Sequence, residues 1–410
     1  MQFCMFSNVT YWHGLRGGMD LHGKHLLEGL AKKGHEVMVI STKHPSGKKY
    51  EEIDGIKLQY LENTTYGSPR RGWKKESLKA LHAILAKEEI DLVVSQSKAG
   101  YGVVRVVRGM GIPFVTIMHG YETMIFGSVL NQVMNFKKDY FSLLKSLLAS
   151  LYYSLFQEYP ILVNSSRTIA VSDKVAQVLG RRPLVKREKI SVVNYGIDLE
   201  VFGASETKRR ETRTALNLSD DDRVILFLSL ISKQKGADVA IRAFKILSHE
   251  AKNTKLIVAG DGDYLPGAKQ LAEGLGIADK VIFPGFVRNE DTSLFYNASD
   301  VFIFPTLRLE SFGIVIAEAM ACGKPVIASN IGSIPNVIDN GVNGILIPPG
   351  DFRELASQIK RLFNDKVYSK ALSEKAQLKA TERFGLNRMV ERTIEVFESA
   401  MGDEVKGKAS

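Results

Sequence analysis

Two glutamates lie on either side of a predicted helix start in the second half of the chain. Glu310 stands in a polar segment, and Glu318 follows within an apolar run. Eight helical residues span about 12 Å, which is close to the distance from a nucleotide ribose to a sugar beyond two phosphates. The N–H groups at a helix start also stabilise anions. This spacing indicates a segment that could hold ribose, diphosphate and sugar together, although an isolated pair of glutamates more often marks a solvated helix face.

The elements around these glutamates predict a β-loop-α-β unit. An apolar strand at Val301–Phe304 stops before Pro305, which has no N–H to donate to a sheet. The helix is expected to begin near Phe312 and Gly313 and to end before Pro325, because glycine and proline terminate helices. A second strand at 326–328 then favours a parallel sheet.

Composition restricts the class of protein. The chain has 410 residues and a net charge of +10, which suits anionic partners such as nucleotide-sugars or phospholipid headgroups. Zinc-finger spacing and aromatic-rich RNA-binding signatures are missing from the sequence, so nucleic acid is not an expected partner. The two cysteines, Cys4 and Cys322, fit a reducing compartment. With no signal peptide and no uncharged run long enough to span a membrane, we expect a cytoplasmic protein.

Strands and helices alternate along the rest of the chain. The first half opens with a short apolar strand, the glycines Gly14, Gly17 and Gly18, and a helix at 19–33. Further helices are predicted at 75–88, 101–108 and 387–401, and residues 402–410 are predicted to form a frayed tail. A second series of strands begins at 224–229. This alternation indicates an α/β protein with two doubly wound halves.

The motifs resemble those of the retaining nucleotide-sugar glycosyltransferases of family 4. The likeness covers Glu310-Ser-Phe-Gly, Glu318-Ala-Met-Ala-Cys-Gly-Lys-Pro-Val, Gly332-Ser-Ile-Pro and the segment 341–351. The resemblance implies the GT-B fold, in which two Rossmann-like domains face each other across a cleft. It places an acceptor domain at 1–195, a donor domain at 196–385, and a helix crossing back to the first domain at 386–410.

The resemblance also implies which residues act. Lys235 matches the lysine that neutralises the leaving diphosphate, Glu310 would hold sugar hydroxyls, and Glu318 would hold the ribose. His119, just after a strand, matches a histidine that contacts the transferred sugar or the acceptor. The expected catalytic residues are therefore His119, Lys235 and Glu310. The expected donor-binding residues are Gly17, Gly18, Ser229, Lys235, Glu310, Ser311, Phe312, Gly313, Ile314 and Glu318.

Three positions depart from the family pattern. Leu230 replaces an arginine that normally accompanies Lys235, so half of the usual cationic clamp is missing. Tyr195 replaces an asparagine in the stretch between the domains, and we attach no chemistry to that change. Asn336 replaces a glutamate and is excluded from the site.

A strongly apolar helix is predicted to begin at Tyr140 and to end at Phe156, with lysines nearby. The pattern favours a core helix over a membrane-surface helix. Many relatives in the resembled family act on lipid-linked acceptors, however, so peripheral contact with an anionic membrane on the cytoplasmic face is a second hypothesis for this helix.

The predicted activity is transfer of a hexose from a UDP-, GDP- or ADP-sugar to a saccharide or lipid-linked acceptor, with retention and without an obligatory metal or other cofactor. A nicotinamide dehydrogenase is disfavoured because the glycines at 14–18 do not form Gly-x-Gly-x-x-Gly. A nucleotide-sugar-binding protein with weak or no transferase activity is the better alternative, since Leu230 replaces the arginine. A phosphorylase of related fold stays open.

Overall fold

The computed structural model describes residues 1–14, 17–70, 72–121, 140–250 and 253–409. The chain divides into two compact units: unit 1 comprises Met1–Gly196 and Leu386–Ser410, and unit 2 comprises Ile197–Gly385. Each unit is an α/β domain built on a largely parallel sheet, which confirms the predicted fold class. Within the described ranges, no helix has both the length and the apolar content needed to cross a membrane.

Unit 1 contains, in its described part, an eight-stranded sheet in the order β3-β4-β2-β1-β5-β6-β7-β8. Its inner strands are apolar runs because helices cover both faces of a parallel sheet. The strands are β1 Gln2–Ser7, β2 Glu36–Thr42, β3 Tyr50–Ile53, β4 Ile56–Leu61, β5 Leu92–Gln96, β6 Phe114–Met118, β7 Arg167–Ala170 and β8 Ile190–Val192.

The only antiparallel pair among the described strands, β3 with β4, is absent from the sequence-based prediction. Asp54 and Gly55 connect these strands with φ angles of 51° and 79°. An Asp-Gly pair with two positive φ angles is typical of a tight hairpin turn, so the sequence carries a signal for this hairpin.

The helices of unit 1 pack on both sides of its sheet. They are α1 Gly18–Lys32, α2 Trp73–Leu85, α3 Val104–Gly109, α4 Tyr140–Tyr153, α5 Tyr159–Asn164, α6 Asp173–Leu179 and, after unit 2, α15 Leu386–Ala409. The predicted helix at 101–108 is in fact a 3-10 turn at Ala99–Gly102 followed by α3.

The last helix, α15, belongs to unit 1. Phe397 on α15 is fully buried and packs edge-on against Phe3 of β1, with ring centroids 5.2 Å apart. The predicted frayed tail at 402–410 is wrong, because α15 continues through Ala409. Asp403 in that segment forms an ion pair with Arg167 at 2.7 Å, which helps to anchor the added turns.

Unit 2 contains, in its described part, a six-stranded parallel sheet in the order β11-β10-β9-β12-β13-β14. Residues such as Phe227 and Ile303 on its central strands are fully buried. The strands are β9 Arg223–Leu228, β10 Thr254–Ala259, β11 Val281–Gly285, β12 Val301–Phe304, β13 Val326–Ser329 and β14 Ile345–Ile347.

The helices of unit 2 cover this sheet. They are α7 Glu206–Ala215, α8 Ala237–Glu250, α9 Leu265–Gly274, α10 Thr292–Ala298, α11 Ile314–Ala321, α12 Ile334–Val337, α13 Phe352–Asn364 and α14 Lys366–Arg383. The predicted β-loop-α-β unit is confirmed as β12, α11 and β13. Helix α11 ends at Ala321, just before Gly323, which takes the left-handed conformation that closes many helices.

Both sheets have a topological switch point. In unit 1, β2 lies on one side of β1 and β5 on the other. In unit 2, β10 lies on one side of β9 and β12 on the other. Loops that leave neighbouring strands in opposite directions open a crevice at the carboxyl ends of those strands, and open α/β sheets bind ligands there.

Candidate active site

The switch point of unit 2 brings together the loops that follow β9 and β12. Lys235 ends a 3-10 turn after β9, and the hydroxyl of Ser232 caps this turn by accepting from the Lys235 N–H at 3.3 Å. The β12 loop joins it through two contacts with the Gln234 carbonyl, from the Leu307 N–H at 2.8 Å and the Thr306 hydroxyl at 3.2 Å. The two loops are therefore hydrogen-bonded to each other and form one edge of the crevice at the switch point.

Lys235 and Glu310 meet directly at this edge. The Lys235 Nζ atom donates to the Glu310 Oε1 atom at 2.7 Å, and the side chains are only 17% and 14% exposed. The Lys235 ammonium also lies 5.2 Å from the centre of the Phe304 ring. Such a half-buried, charge-assisted hydrogen bond is worth more than an exposed ion pair. The structure thus brings two predicted catalytic residues into contact, although 75 positions separate them in sequence.

Two glycines allow the backbone to approach closely enough for this contact. Gly236 has a φ of +82°, and a Cβ atom there would lie 2.0 Å from the Pro305 carbonyl oxygen. Gly332 has a φ of +62°, and its Cβ atom would lie 2.6 Å from both the N and O atoms of Glu310. Ser333 then donates its N–H to the Glu310 carbonyl at 2.8 Å. Any larger residue at either glycine would displace the loop that carries the charge.

Helix α11 begins beside this pair. Gly313 caps the helix in the left-handed conformation, and Ile314 is its first residue. Phe312 is fully buried against Phe384, with the two rings nearly perpendicular, whereas Ser311 and Ile314 are half-buried. The first N–H groups of a helix have no carbonyl partner within it and carry partial positive charge. The predicted diphosphate-binding segment is therefore fixed in place by the burial of Phe312.

Glu318 lies within α11, four residues after its first residue, and is buried. Its Oε2 atom accepts a hydrogen bond from the Tyr296 hydroxyl at 2.8 Å. Burial raises the pKa of Glu318 to about 7, although the Tyr296 hydrogen bond opposes that rise. The carboxyl group thus titrates near neutral pH, a property common at functional sites.

Ser229 and Leu230 follow β9 directly. Ser229 is half-buried and donates its N–H to the Ala259 carbonyl at 3.1 Å. Leu230 is 60% exposed, which is unusual for a leucine that follows a buried strand. The position of the missing arginine is thus open to solvent, with an apolar side chain in place of a cation.

In unit 1, Gly17 and Gly18 stand at the start of α1. Gly17 caps the helix, and its N–H donates to the Asp20 carboxylate at 3.1 Å. Burial raises the pKa of Asp20 to about 6, while the bond from Gly17 works against that shift. A carboxylate therefore already occupies one donor of the helix start at which the sequence predicts a diphosphate or an acceptor.

His119 follows β6 and is 9% exposed. Its Nδ1 atom lies 2.7 Å from the Tyr195 hydroxyl and its Nε2 atom lies 3.3 Å from the Gln96 Nε2 atom. The His22 ring packs edge-on against the His119 ring at 4.8 Å. Burial lowers the pKa of His119 to about 3, so the ring is neutral at physiological pH.

The contacts of Gln96 determine which nitrogen of His119 carries the proton. The Gln96 Nε2 atom donates to the Met19 carbonyl at 2.9 Å, so this atom is the amide NH₂ group. Its second N–H faces the His119 Nε2 atom, which must then be an acceptor. The proton of His119 resides on Nδ1 and is donated to the Tyr195 hydroxyl.

Several of these partners are missing from the sequence-based site. Tyr195 is noticed there only as a departure from the family, yet it bonds to His119. Gln96, His22 and Tyr296 belong to no motif in the sequence, and their roles depend on which residues the fold places beside them. Only the carboxyl-end position of Gln96 on β5, at the switch point, marks it in advance.

Two family models match this chain. Residues 16–201 match Glycosyltransferase Family 4, and residues 208–379 match Glycosyl transferases group 1, which together cover most of the chain. The chain belongs to the family 4 glycosyltransferases. An uncharacterized glycosyltransferase of Methanocaldococcus jannaschii is 27% identical over 94% of this chain and 95% of that protein.

One further relative and one solved structure are similar to this glycosyltransferase. The alpha-monoglucosyldiacylglycerol synthase of Streptococcus pneumoniae is 29% identical over 77% of this chain and 69% of the relative. The crystal structure of Anabaena HepE in complex with UDP-glucose covers 97% of this chain and 100% of HepE, with a TM-score of 0.75 and 22% identity. This last likeness confirms the GT-B fold.

The pKa of Glu318 predicts how stability depends on pH. The unfolded chain ionises this group near its ordinary value of 4.5 and the folded chain near 7, so the group lowers stability as pH rises between these values. In Glu318→Gln that loss is removed because an amide does not ionise, and the amide oxygen still accepts from Tyr296. In urea titrations, the unfolding free energy of the variant minus that of the wild type should rise by about 3 kcal/mol as the pH increases from about 4 to about 8. A difference between Glu318→Gln and the wild type that does not change with pH would contradict the assignment.

The Tyr195 hydroxyl should stabilise unit 1. In Tyr195→Phe the buried Nδ1–H of His119 loses its acceptor, which should cost about 1–2 kcal/mol of unfolding free energy. Tyr159→Phe is the matched control, because the Tyr159 hydroxyl donates to an exposed carbonyl, that of Pro183. Equal costs for the two variants in urea unfolding would show that the His119 contact has no special weight.

Proposed function

We propose that this glycosyltransferase moves a hexose from a nucleoside-diphosphate sugar to a saccharide or lipid-linked acceptor, with retention of the anomeric configuration. The observation that carries this proposal is the Lys235–Glu310 contact of 2.7 Å at the switch point, beside the start of α11. Retention is taken from the family and not from the geometry.

The charges in this edge suit a departing diphosphate. As the bond from the sugar to the diphosphate breaks, negative charge grows on the phosphate oxygens. The Lys235 ammonium and the N–H groups at the start of α11 supply fixed positive charge beside it. This electrostatic stabilisation needs no obligatory metal in the proposed mechanism. Glu310 then has two roles, since its carboxylate holds Lys235 in place and accepts from hydroxyl groups of the sugar.

Glu318 and His119 have supporting roles in this proposal. Glu318, buried beside Tyr296, receives the ribose hydroxyls, and its carboxyl group offers either a donor or an acceptor near neutral pH. His119 is neutral and both of its ring nitrogens have protein partners, so in this proposal it contacts the sugar or the acceptor as an uncharged ring held by Gln96 and Tyr195, and not as a cation. The acceptor hydroxyl forms the new carbon–oxygen bond as the bond from the sugar to the diphosphate breaks, its proton passes to the departing phosphate, and no enzyme nucleophile is required.

The relatives suggest candidates for both substrates. The name of the Streptococcus pneumoniae relative refers to a glucosylated diacylglycerol, and HepE was crystallised with UDP-glucose. These names favour a UDP-sugar donor and a lipid acceptor as the first combination to test here.

A nucleotide-sugar-binding protein with weak or no transferase activity is the alternative. It is supported by one observation, the exposed Leu230 at the position of the family arginine. This alternative predicts donor binding without release of nucleoside diphosphate, with or without acceptors.

A donor screen distinguishes the two functions. Release of nucleoside diphosphate from UDP-, GDP- and ADP-sugars should be seen with one donor class for the wild type. Lys235→Ala and Glu310→Gln should each lower kcat by about 10²–10³, because each removes part of the charged edge. Lys233→Ala is the matched control, since it removes an exposed lysine from the same turn and should retain activity. Binding without release from any donor would refute the transferase and favour Leu230→Arg as the next variant.

We also propose that α4 contacts the surface of an anionic membrane. Within the described side chains, Leu144, Leu148 and Leu151 on α4 and Leu155 just after it are each more than half exposed. Their spacing of three and four residues places them on one face. The sequence pattern favours a core helix, but a core helix would bury these leucines, so that expectation is wrong for this face. An exposed apolar stripe on a basic protein suits a membrane interface.

Sedimentation with vesicles tests this contact. The wild type should bind vesicles that contain phosphatidylglycerol, and Leu148→Gln with Leu151→Gln should weaken binding about tenfold, because two apolar side chains no longer enter the interface. The control pair is Val367→Gln with Leu378→Gln, which removes two exposed apolar residues from α14. Sedimentation that is absent in the wild type, or unchanged in the α4 variant, would contradict the proposal.

A further inference from the structure

A cavity of about 650 Å³ lies in unit 1, apart from His119 and its partners. It is bounded by the segment before α2, the first turn of α2, and the end of α4. Its lining includes Arg70, Lys74 and Lys75 together with Tyr101, Tyr152 and Tyr153. No carboxylate is among its described lining residues. The cavity therefore combines three cations with three phenol rings.

Tyr153 holds two cations at this cavity. Its hydroxyl accepts a hydrogen bond from the Arg70 Nε–H, and the Arg70 guanidinium carbon lies 5.4 Å from the ring centre. A fourth cation, the Lys98 ammonium, lies 4.3 Å from the same ring. Cation–π contacts and this hydrogen bond order flexible side chains that would otherwise move freely. The positive charges of Arg70 and Lys98 are therefore preorganised.

Two further features bear on the chemistry of the ligand. Lys74 and Lys75 lie in the first turn of α2, a 13-residue helix whose N-terminal N–H groups add partial positive charge and favour an anion. Gln157 also lines the cavity, is only 5% exposed, and has an Oε1 atom without a hydrogen-bond partner among the described residues. This oxygen is an acceptor, so its partner must be a donor, which water or the P–OH group of a singly ionised phosphate monoester supplies.

The cavity is continuous with the stripe of exposed leucines. A π-helical turn at Ser154–Glu158 extends α4 and adds a residue to the turn. This turn buries Gln157 while Leu155 and Phe156 stay exposed. Tyr152 connects the two surfaces. It lines the cavity, it lies one helical turn after Leu148 of the stripe, and it stacks on Phe156 with ring centres 5.1 Å apart. A ligand with a charged head and apolar chains would match both parts.

We propose that this cavity binds the phosphate monoester headgroup of a membrane lipid, whose acyl chains lie against the α4 stripe. A phosphate monoester carries up to two negative charges and three acceptor oxygens at neutral pH, which suits several cations better than a carboxylate or a phosphodiester does. The volume exceeds that of phosphate alone and accommodates a glycerol ester as well. This inference rests on the proposed membrane contact, but it needs neither the sugar donor nor the transfer step.

Calorimetry with soluble lipids tests the proposal without a membrane. Dihexanoyl phosphatidic acid, below its critical micelle concentration, should bind the wild type more tightly than dihexanoyl phosphatidylcholine, inorganic phosphate or glycerol 3-phosphate. Arg70→Gln with Lys74→Gln should weaken that binding about tenfold or more. The control pair, Lys32→Gln with Lys87→Gln, removes the same charge from exposed positions of unit 1 and should change it less than about twofold.

Each other outcome overturns part of the inference. Equal binding of phosphatidylcholine would show that the cations do not recognise the headgroup. Equal binding of glycerol 3-phosphate would make the occupant a free phosphate ester and not a lipid. Unchanged affinity in the Arg70→Gln, Lys74→Gln variant, with an unaltered thermal unfolding midpoint, would place the lipid elsewhere. If the wild type still binds vesicles when that variant shows unchanged lipid affinity, the cavity proposal fails and the proposed membrane contact of α4 stands.

Discussion

The candidate site of unit 2 depends on one ion pair, which lies at the point where the strand order of its parallel sheet reverses. Lys235 and Glu310 come from different loops, and both loops approach so closely that only glycine fits at positions 236 and 332. A lysine and a glutamate in water would gain little from such a contact. Here the contact is half-buried and braced by Thr306 and Gln234, so the pair keeps a fixed geometry before any substrate arrives. This preorganisation is what makes the edge suitable for charge stabilisation.

The two units use opposite electrostatic strategies. Unit 2 presents formal charge at its switch point, whereas unit 1 presents neutral hydrogen-bonding groups, His119 with Gln96 and Tyr195. A diphosphate requires charge compensation, while a hydroxyl acceptor requires orientation and suffers from competing ions. In the proposed function, unit 2 holds the donor and unit 1 holds the acceptor.

Local patterns were sufficient to predict most elements and the identity of the charged residues. β12 and α11 are bounded by proline and glycine, and Glu310 and Lys235 stand in recognisable motifs. The contact between Lys235 and Glu310 was not predictable, because it depends on two close backbone approaches far apart in sequence. The partners of His119 and Glu318 were not predictable for the same reason, since these polar residues gain their roles only from tertiary packing. The exposed face of α4 was misjudged because an apolar stripe has the same period on a buried or an exposed helix.

The proposed function requires the Lys235–Glu310 edge to receive the diphosphate of the donor. A crystal structure of the chain soaked with UDP tests this requirement directly. Phosphate oxygens should then lie within about 3 Å of the Lys235 Nζ atom and of the first N–H groups of α11, with the Glu310 carboxylate turned toward the sugar position. A diphosphate bound elsewhere, with the 2.7 Å contact between Lys235 and Glu310 untouched by ligand, would contradict it.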